Sequence, residues 1–245
     1  LYDDELEPLD YQAREVNRSD LSGLNFNFGL IYKGKISSSL DLHSSFSYSP
    51  EYNLSSRNSR VFASVIINPN SGLELPVNEI DVDLESVGLA KTDLTMPSKT
   101  NIGLGVGKDK KWFMGAEYTF LSSSVFSNDL INIDNSRFED SSIISVGGFY
   151  IPDYSSFSGV FKRLVYRAGL YSEKTGLNIN GESISEFGIS FGLGIPSGGL
   201  FSNINTTVEF GKRGTTDANL VEENFVNFQL SLSLNDRWFI KRKYN

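Results

Sequence analysis

The chain has 245 residues, 39% of them hydrophobic, with no cysteine, one histidine and a net charge of −8. That composition excludes disulfides and thiolate metal centres, argues against a zinc site, and leaves no basic footprint for a nucleic acid. The length suits one large β domain, and no run approaches the roughly 20 apolar residues of a membrane-spanning helix, a test that strand-built membrane proteins escape.

The chain opens at Leu1 with neither an initiator Met nor a signal-peptide core, so a mature or N-terminally incomplete chain is expected. Leu24, Phe26, Phe28, Leu30 and Tyr32 alternate with Asn25, Asn27 and Gly29, a period of two that predicts a strand. After a short link at Lys33–Ser38, Leu40, Leu42, Phe46 and Tyr48 alternate with Asp41, His43, Ser45 and Ser47. Ser49–Ser59 reads as a long polar loop, Val61–Ile67 as a dense apolar stretch, Asn68-Pro69-Asn70 as a strand-end turn and Glu85–Ser98 as another long loop.

The run Gly103-Leu-Gly-Val-Gly107-Lys108 looks like a phosphate loop, but such a loop needs a helix behind its glycines to aim N–H groups at the anion. Here Lys108–Lys111 is a charged turn, and Trp112, Met114, Ala116, Tyr118 and Phe120 continue the alternation set by Ile102, Leu104 and Val106. The piece is a strand, a turn and a strand, with the glycines sharing one face. Beyond a long loop at Ser122–Asp140, looser alternation covers Ile144–Tyr150 and Leu164–Ala168, separated by Pro152–Lys162, whose Tyr154, Phe157 and Phe161 suit a membrane interface. Cleaner strands are predicted at Phe187–Ile195, Ile204–Phe210 and Val226–Leu234, with long loops at Glu173–Ser185 and Lys212–Glu223 and short turns at Pro196–Gly199 and Asn235-Asp236.

The sum is roughly ten to twelve strands, many near the ~9–11 residues that cross a bilayer at a tilt, with short and long connections alternating. A soluble β-sandwich alternates too, but its wet face carries Lys, Glu, Thr and Arg, whereas here the non-apolar positions are mainly Gly, Ser and Asn. The predicted fold class is therefore all-β, a transmembrane antiparallel β-barrel spanning residues 1–245 as one domain. The long loops are expected outside the cell and the short turns in the periplasm.

Five segments carry a resemblance: Asn17–Gly23, Lys91–Ser98, Glu186–Pro196, Glu209–Thr215 and Leu232–Tyr244. Together the chain resembles the C-terminal part of the outer-membrane barrels of Bacteroidota related to the FadL-type hydrophobic-compound channels. The resemblance implies a multi-pass barrel of the bacterial outer membrane, part of a fourteen-stranded whole whose N-terminal plug and first strands lie upstream, and passage of small hydrophobic molecules. It carries over no functional residue.

On the inward register stand His43, Glu117, Arg167, Glu209 and Gln229, the lumen-facing candidates. His43 has Asp41 and Ser45 two residues away, but a barrel-wall hydrolase turns its Ser and His toward lipid, so no enzyme is expected. Glu117, Arg167 and Glu209 are expected to pair across the lumen. The acidic groups Asp3, Asp4, Glu5 and Glu7, and Glu79, Asp81, Asp83 and Glu85, lack the spacing of a dedicated calcium loop, and no metal or cofactor is expected. The expected partners are outer-membrane lipids and hydrophobic small molecules. The alternative is a non-transporting accessory barrel in a protein insertion or secretion complex, docked through its long loops and the basic tail Lys241–Lys243.

Overall fold

The computed structural model describes residues 11–68, 71–126, 135–157, 159–196 and 203–233. Among them the chain is almost entirely antiparallel β, the fold class expected, with fourteen strands and one short helix. The acidic group at residues 3–7, the segments 197–202 and 127–134, Pro69, Asn70, Leu234, the turn at Asn235-Asp236 and the basic tail lie outside the described residues.

The strands fall into two sheets, which belong to two compact units. The smaller sheet comprises β1 (Gln12–Ser22), β4 (Tyr52–Ile67), β5 (Glu74–Asp81) and β6 (Lys91–Met96). The predicted loop at Ser49–Ser59 is thus largely the first half of β4, and Glu85–Ser98 contains β6. Both escaped the hydrophobic pattern because polar partners hold them. Asn58, midway along β4, accepts from Ser19 Oγ at 2.8 Å and Ser56 Oγ at 2.7 Å, and its Nδ2 donates to Leu89 O and Thr92 Oγ1, each at 2.9 Å. That satisfied amide pins the excursion at residues 82–90 that separates β5 from β6, two segments that follow each other along the same side of β4. The predicted strand at Leu24–Tyr32 is likewise broken. Strand β1 ends at Ser22, and Gly23 approaches β4 so closely that a Cβ there would lie 3.0 Å from the Asn53 carbonyl oxygen.

The larger sheet holds β2 (Phe28–Ser37), β3 (Leu40–Ser49), β7 (Lys99–Lys108), β8 (Trp112–Leu121), β10 (Ser141–Tyr150), β11 (Val165–Ile179), β12 (Glu182–Pro196), β13 (Asn203–Gly214) and β14 (Glu222–Ser233) in the order β2-β3-β7-β8-β10-β11-β12-β13-β14. Neighbours are consecutive in sequence except at β3, whose second partner is β7 because the chain leaves for the other sheet in between, and at β8 and β10, which are separated in sequence by the short segment Ser136–Phe138 that pairs elsewhere. Tight turns lie at Ser38-Ser39 and at 109–111, where Lys110 takes a positive φ of 54°. The link between β10 and β11 carries the short helix α1 (Val160–Arg163).

The predicted long loop at Glu173–Ser185 is instead the extended end of the β11–β12 hairpin, turned at Asn180-Gly181, with β9 (Ser136–Phe138) paired along it. At its root Gly176 has φ +78°, and a Cβ there would stand 2.7 Å from the Glu139 carbonyl oxygen. Only glycine meets both demands.

Candidate functional site

The pairing register sorts the larger sheet into two chemically distinct faces. One carries Leu30, Phe46, Leu104, Met114, Ile144, Leu170, Phe191, Phe210, Val226, Phe228 and Leu230, all exposed, with Phe228 at 70% and Leu230 at 59%. Among the described residues no large side chain is fully buried. A water-soluble protein rarely exposes so continuous an apolar surface, and here it has no second sheet of its own unit against it. Along β8 the apolar positions run from Trp112 to Phe120, about 27 Å of strand, or roughly 20 Å of depth at the usual 35–45° tilt. Trp112, Tyr150 and Tyr166 lie side by side at one end, and Lys108 is the cross-strand partner of Trp112.

The other face contains all five candidates, in three adjacent cross-strand rows. One row runs Ile31, Ser45, Gly103, Glu117, Ser145, Tyr171, Gly188, Gly211, Phe225. The next holds His43, four glycines, Ser190 and Glu209; the third holds Asp41, Gly107, Phe113, Phe149, Arg167, Gly192, Thr207 and Gln229.

Five glycines on this face, Gly105, Gly107, Gly115, Gly188 and Gly211, make room for neighbouring rings. Phe113 lies across Gly105, Gly107 and Gly115: a Cβ at Gly105 would meet ring Cε2 at 2.8 Å, one at Gly107 would meet Cδ2 at 3.0 Å, and one at Gly115 would meet Cε1 at 3.1 Å. Tyr171 covers Gly188 and Phe225 covers Gly211 in the same way, with ring carbons 2.8 and 2.7 Å from the notional Cβ atoms. Each pairs a residue that leaves a strand bare with one that fills the gap, the aromatic rescue of glycine. Phe113 also stacks on Phe149 at 6.1 Å and receives His43 edge-on at 5.5 Å.

The expected pairing of Glu117, Arg167 and Glu209 with one another does not occur. Each has a neutral neighbour within reach: Asn101 Nδ2 donates to Glu117 at 2.8 Å, Arg167 donates to Asn205 at 2.8 Å, and Glu209 lies 3.3 Å from the Tyr171 hydroxyl. The ionic centre of the face is Glu186, unforeseen from sequence. It is 8% exposed, accepts from Tyr171 at 2.5 Å and from Arg213 Nε, and lies opposite Glu173 on β11. The register could have found it, since stepping inward from Arg167 reaches Gly169, Tyr171 and Glu173. Gln229 sits opposite Thr207, and Asp41 lies 3.9 Å from Lys33 rather than beside His43.

At the protruding hairpin, Glu139 accepts from Ser183 Oγ at 2.6 Å, Asn178 Nδ2 at 2.9 Å and Arg137 at 3.0 Å. The Ser183 hydrogen bond, with Arg137 and Asn178 assisting, holds its carboxyl below the ordinary value of 4.5 against a partial desolvation. In the other unit, Glu79 binds Arg14 at 2.8 Å and Asp83 accepts the backbone N–H groups of Glu85 and Ser86 at 3.1 Å, so these carboxylates serve the sheet and its turn.

An all-β chain with an exposed apolar band and a glycine-aromatic opposite face can be set beside known proteins. A sequence profile of the BamG family matches residues 3–245. The chain belongs to the BamG family. It is accordingly an outer-membrane β-barrel protein. Among solved structures, a monoaromatic hydrocarbon channel, CymD, is similar at 13% identity and a TM-score of 0.43, over 77% of this chain and 46% of that one. The chain thus spans about half the length of that channel. A search among curated proteins returned no match.

Proposed function

We propose that this BamG-family chain is a non-transporting accessory barrel subunit of an outer-membrane complex that inserts or secretes proteins. With the apolar face toward lipid, the face holding His43, Glu117, Arg167, Glu209 and Gln229 is the lumen wall. The observation that carries the proposal is the occupation of part of that wall: Phe113, Tyr171 and Phe225 fill the space beside Gly105, Gly107, Gly115, Gly188 and Gly211, where a conducting wall needs it free. The family name supports association with an outer-membrane complex. The structured β11–β12 hairpin, braced by β9 and Glu139, offers a preformed edge for docking.

A passive channel for small hydrophobic molecules retains one support, an open concavity of about 470 Å³ bordered by His43, Gly103, Phe113, Glu117 and Ser145. Two measurements separate the readings. The tagged protein, extracted from native outer membranes in mild detergent, is expected to bring down other outer-membrane barrels in fixed proportion, and vesicles containing it are expected to take up a hydrophobic probe no faster than empty vesicles. Purification alone together with rapid uptake overturns the accessory reading.

A further inference from the structure

The apolar face is uneven. Between Met114 and Phe191 the cross-strand row passes through Gly148 and Ala168, where side chains are minimal, and the depression they leave is a groove of about 1100 Å³. Its walls are almost wholly apolar, and Trp112, Tyr150 and Tyr166 line the end nearest the turn at 109–111.

Directly beyond that end the charge changes character. The turn at 108–111 and the link at 151–164 are tied together: Ile151 N–H donates to the Lys111 carbonyl at 2.7 Å, and Lys110 Nζ stands 5.3 Å from the centre of the Tyr154 ring. Asp153 N–H in turn donates to the Lys162 carbonyl at 2.8 Å, which folds α1 back over the link. The rim so built presents Lys108, Lys110, Lys111, Lys162 and Arg163 against only Asp109 and Asp153, in a chain whose net charge is −8. Lys108 is the cross-strand partner of Trp112 at the end of the apolar face, a position from which a lysine stem can lie along apolar surface with its ammonium at the rim.

We propose that this groove and rim form a binding site for one anionic phospholipid, with acyl chains over Gly148 and Ala168 and the phosphate against Lys108, Lys111 and Lys162. An apolar depression alone would take any hydrocarbon. The cationic cluster at its interfacial end supplies what a bare hydrocarbon does not need, several donors for a phosphate at headgroup depth, and the ring of aromatics marks that depth. The site rests on the apolar face being the lipid-facing one and is independent of the accessory role.

The test is native mass spectrometry of the purified full chain in detergent, titrated with phosphatidylglycerol and, separately, with diacylglycerol of the same acyl chains. One phosphatidylglycerol is expected to survive activation that strips the remainder, with diacylglycerol retained at least tenfold less. Ala168→Phe, which fills the groove from its exposed floor, is expected to lower phosphatidylglycerol retention at least tenfold. Lys111→Glu with Lys162→Glu, both in exposed connections that leave the strands intact, is expected to lower it to the diacylglycerol level. Equal retention of the two lipids, or full retention by either variant, overturns the site. So does photocrosslinking from position 168 in native membranes that captures a protein chain in place of lipid.

Discussion

Replacing Leu230 by Arg separates the two faces most sharply. Leu230 is 59% exposed on β14, within an apolar series from Val226 to Leu232 that covers about 20 Å of strand, or roughly 15 Å of depth at the usual tilt. An arginine there stands among apolar neighbours, and on a lipid face near the bilayer midplane such a change costs about 2–4 kcal/mol. Gln229, one residue away at nearly the same depth, lies on the opposite face beside Thr207, and arginine there keeps polar neighbours. The difference corresponds to a change of roughly 30- to 1000-fold in the folded-to-unfolded ratio. Equilibrium unfolding in guanidinium from phospholipid vesicles reads it directly. Costs equal to within about 0.5 kcal/mol would mean that both faces meet the same surroundings, and the assignment of lipid to the apolar face would fail.

Further outcomes follow from the packing and the hydrogen bonds. Gly105→Leu is expected to cost about 1–3 kcal/mol in the same assay, because its side chain enters the volume of the Phe113 ring, and adding Phe113→Ala should restore most of the loss; without recovery the ring is not the reason for the glycine. Tyr171→Phe removes the hydrogen bond to the Glu186 carboxylate and is expected to cost about 1.5–3 kcal/mol, a loss that shrinks sharply if Glu186 is first made Ala; an undiminished loss would mean the bond is not its cause. Glu139 is held below its ordinary value of 4.5, so its stabilisation of the hairpin is complete above that pH and disappears as the pH falls through the lower folded-state value. Hydrogen-exchange protection of residues 175–185, taken relative to the intrinsic exchange rate at each pH, should therefore fall more steeply below pH 4.5 in the parent chain than in Glu139→Gln; parallel profiles would leave Glu139 without a role in the hairpin's stability.

Legibility in the sequence followed the source of each strand's stability. Strands β3, β7, β8, β12, β13 and β14 have one apolar face, so a period of two located them and fixed which residues share a side. The five candidates fall on one face for the same reason, since a strand's register carries every alternate residue with it. Strand β1, QAREVNRSDLS, has no apolar stripe and is held to β4 by polar pairs such as Arg60 with Glu15 at 3.3 Å, which no hydrophobic period reveals. The β11–β12 extension was hidden because its Gly, Asn, Ser and Thr residues look like loop while serving a bulge, a turn and the Glu139 hydrogen bonds. The use of the glycines was hidden differently: composition shows that space exists, and only the cross-strand partners show that Phe113, Tyr171 and Phe225 occupy it beside Gly105, Gly107, Gly115, Gly188 and Gly211.

The most direct test of the accessory-barrel proposal is depletion of the protein in its own cell, with folded outer-membrane proteins and uptake of a hydrophobic compound quantified side by side. The amounts of correctly folded surface and outer-membrane proteins are expected to fall while uptake stays at the parental rate. Unchanged outer-membrane protein levels with uptake lost would contradict the proposal and make the chain a channel.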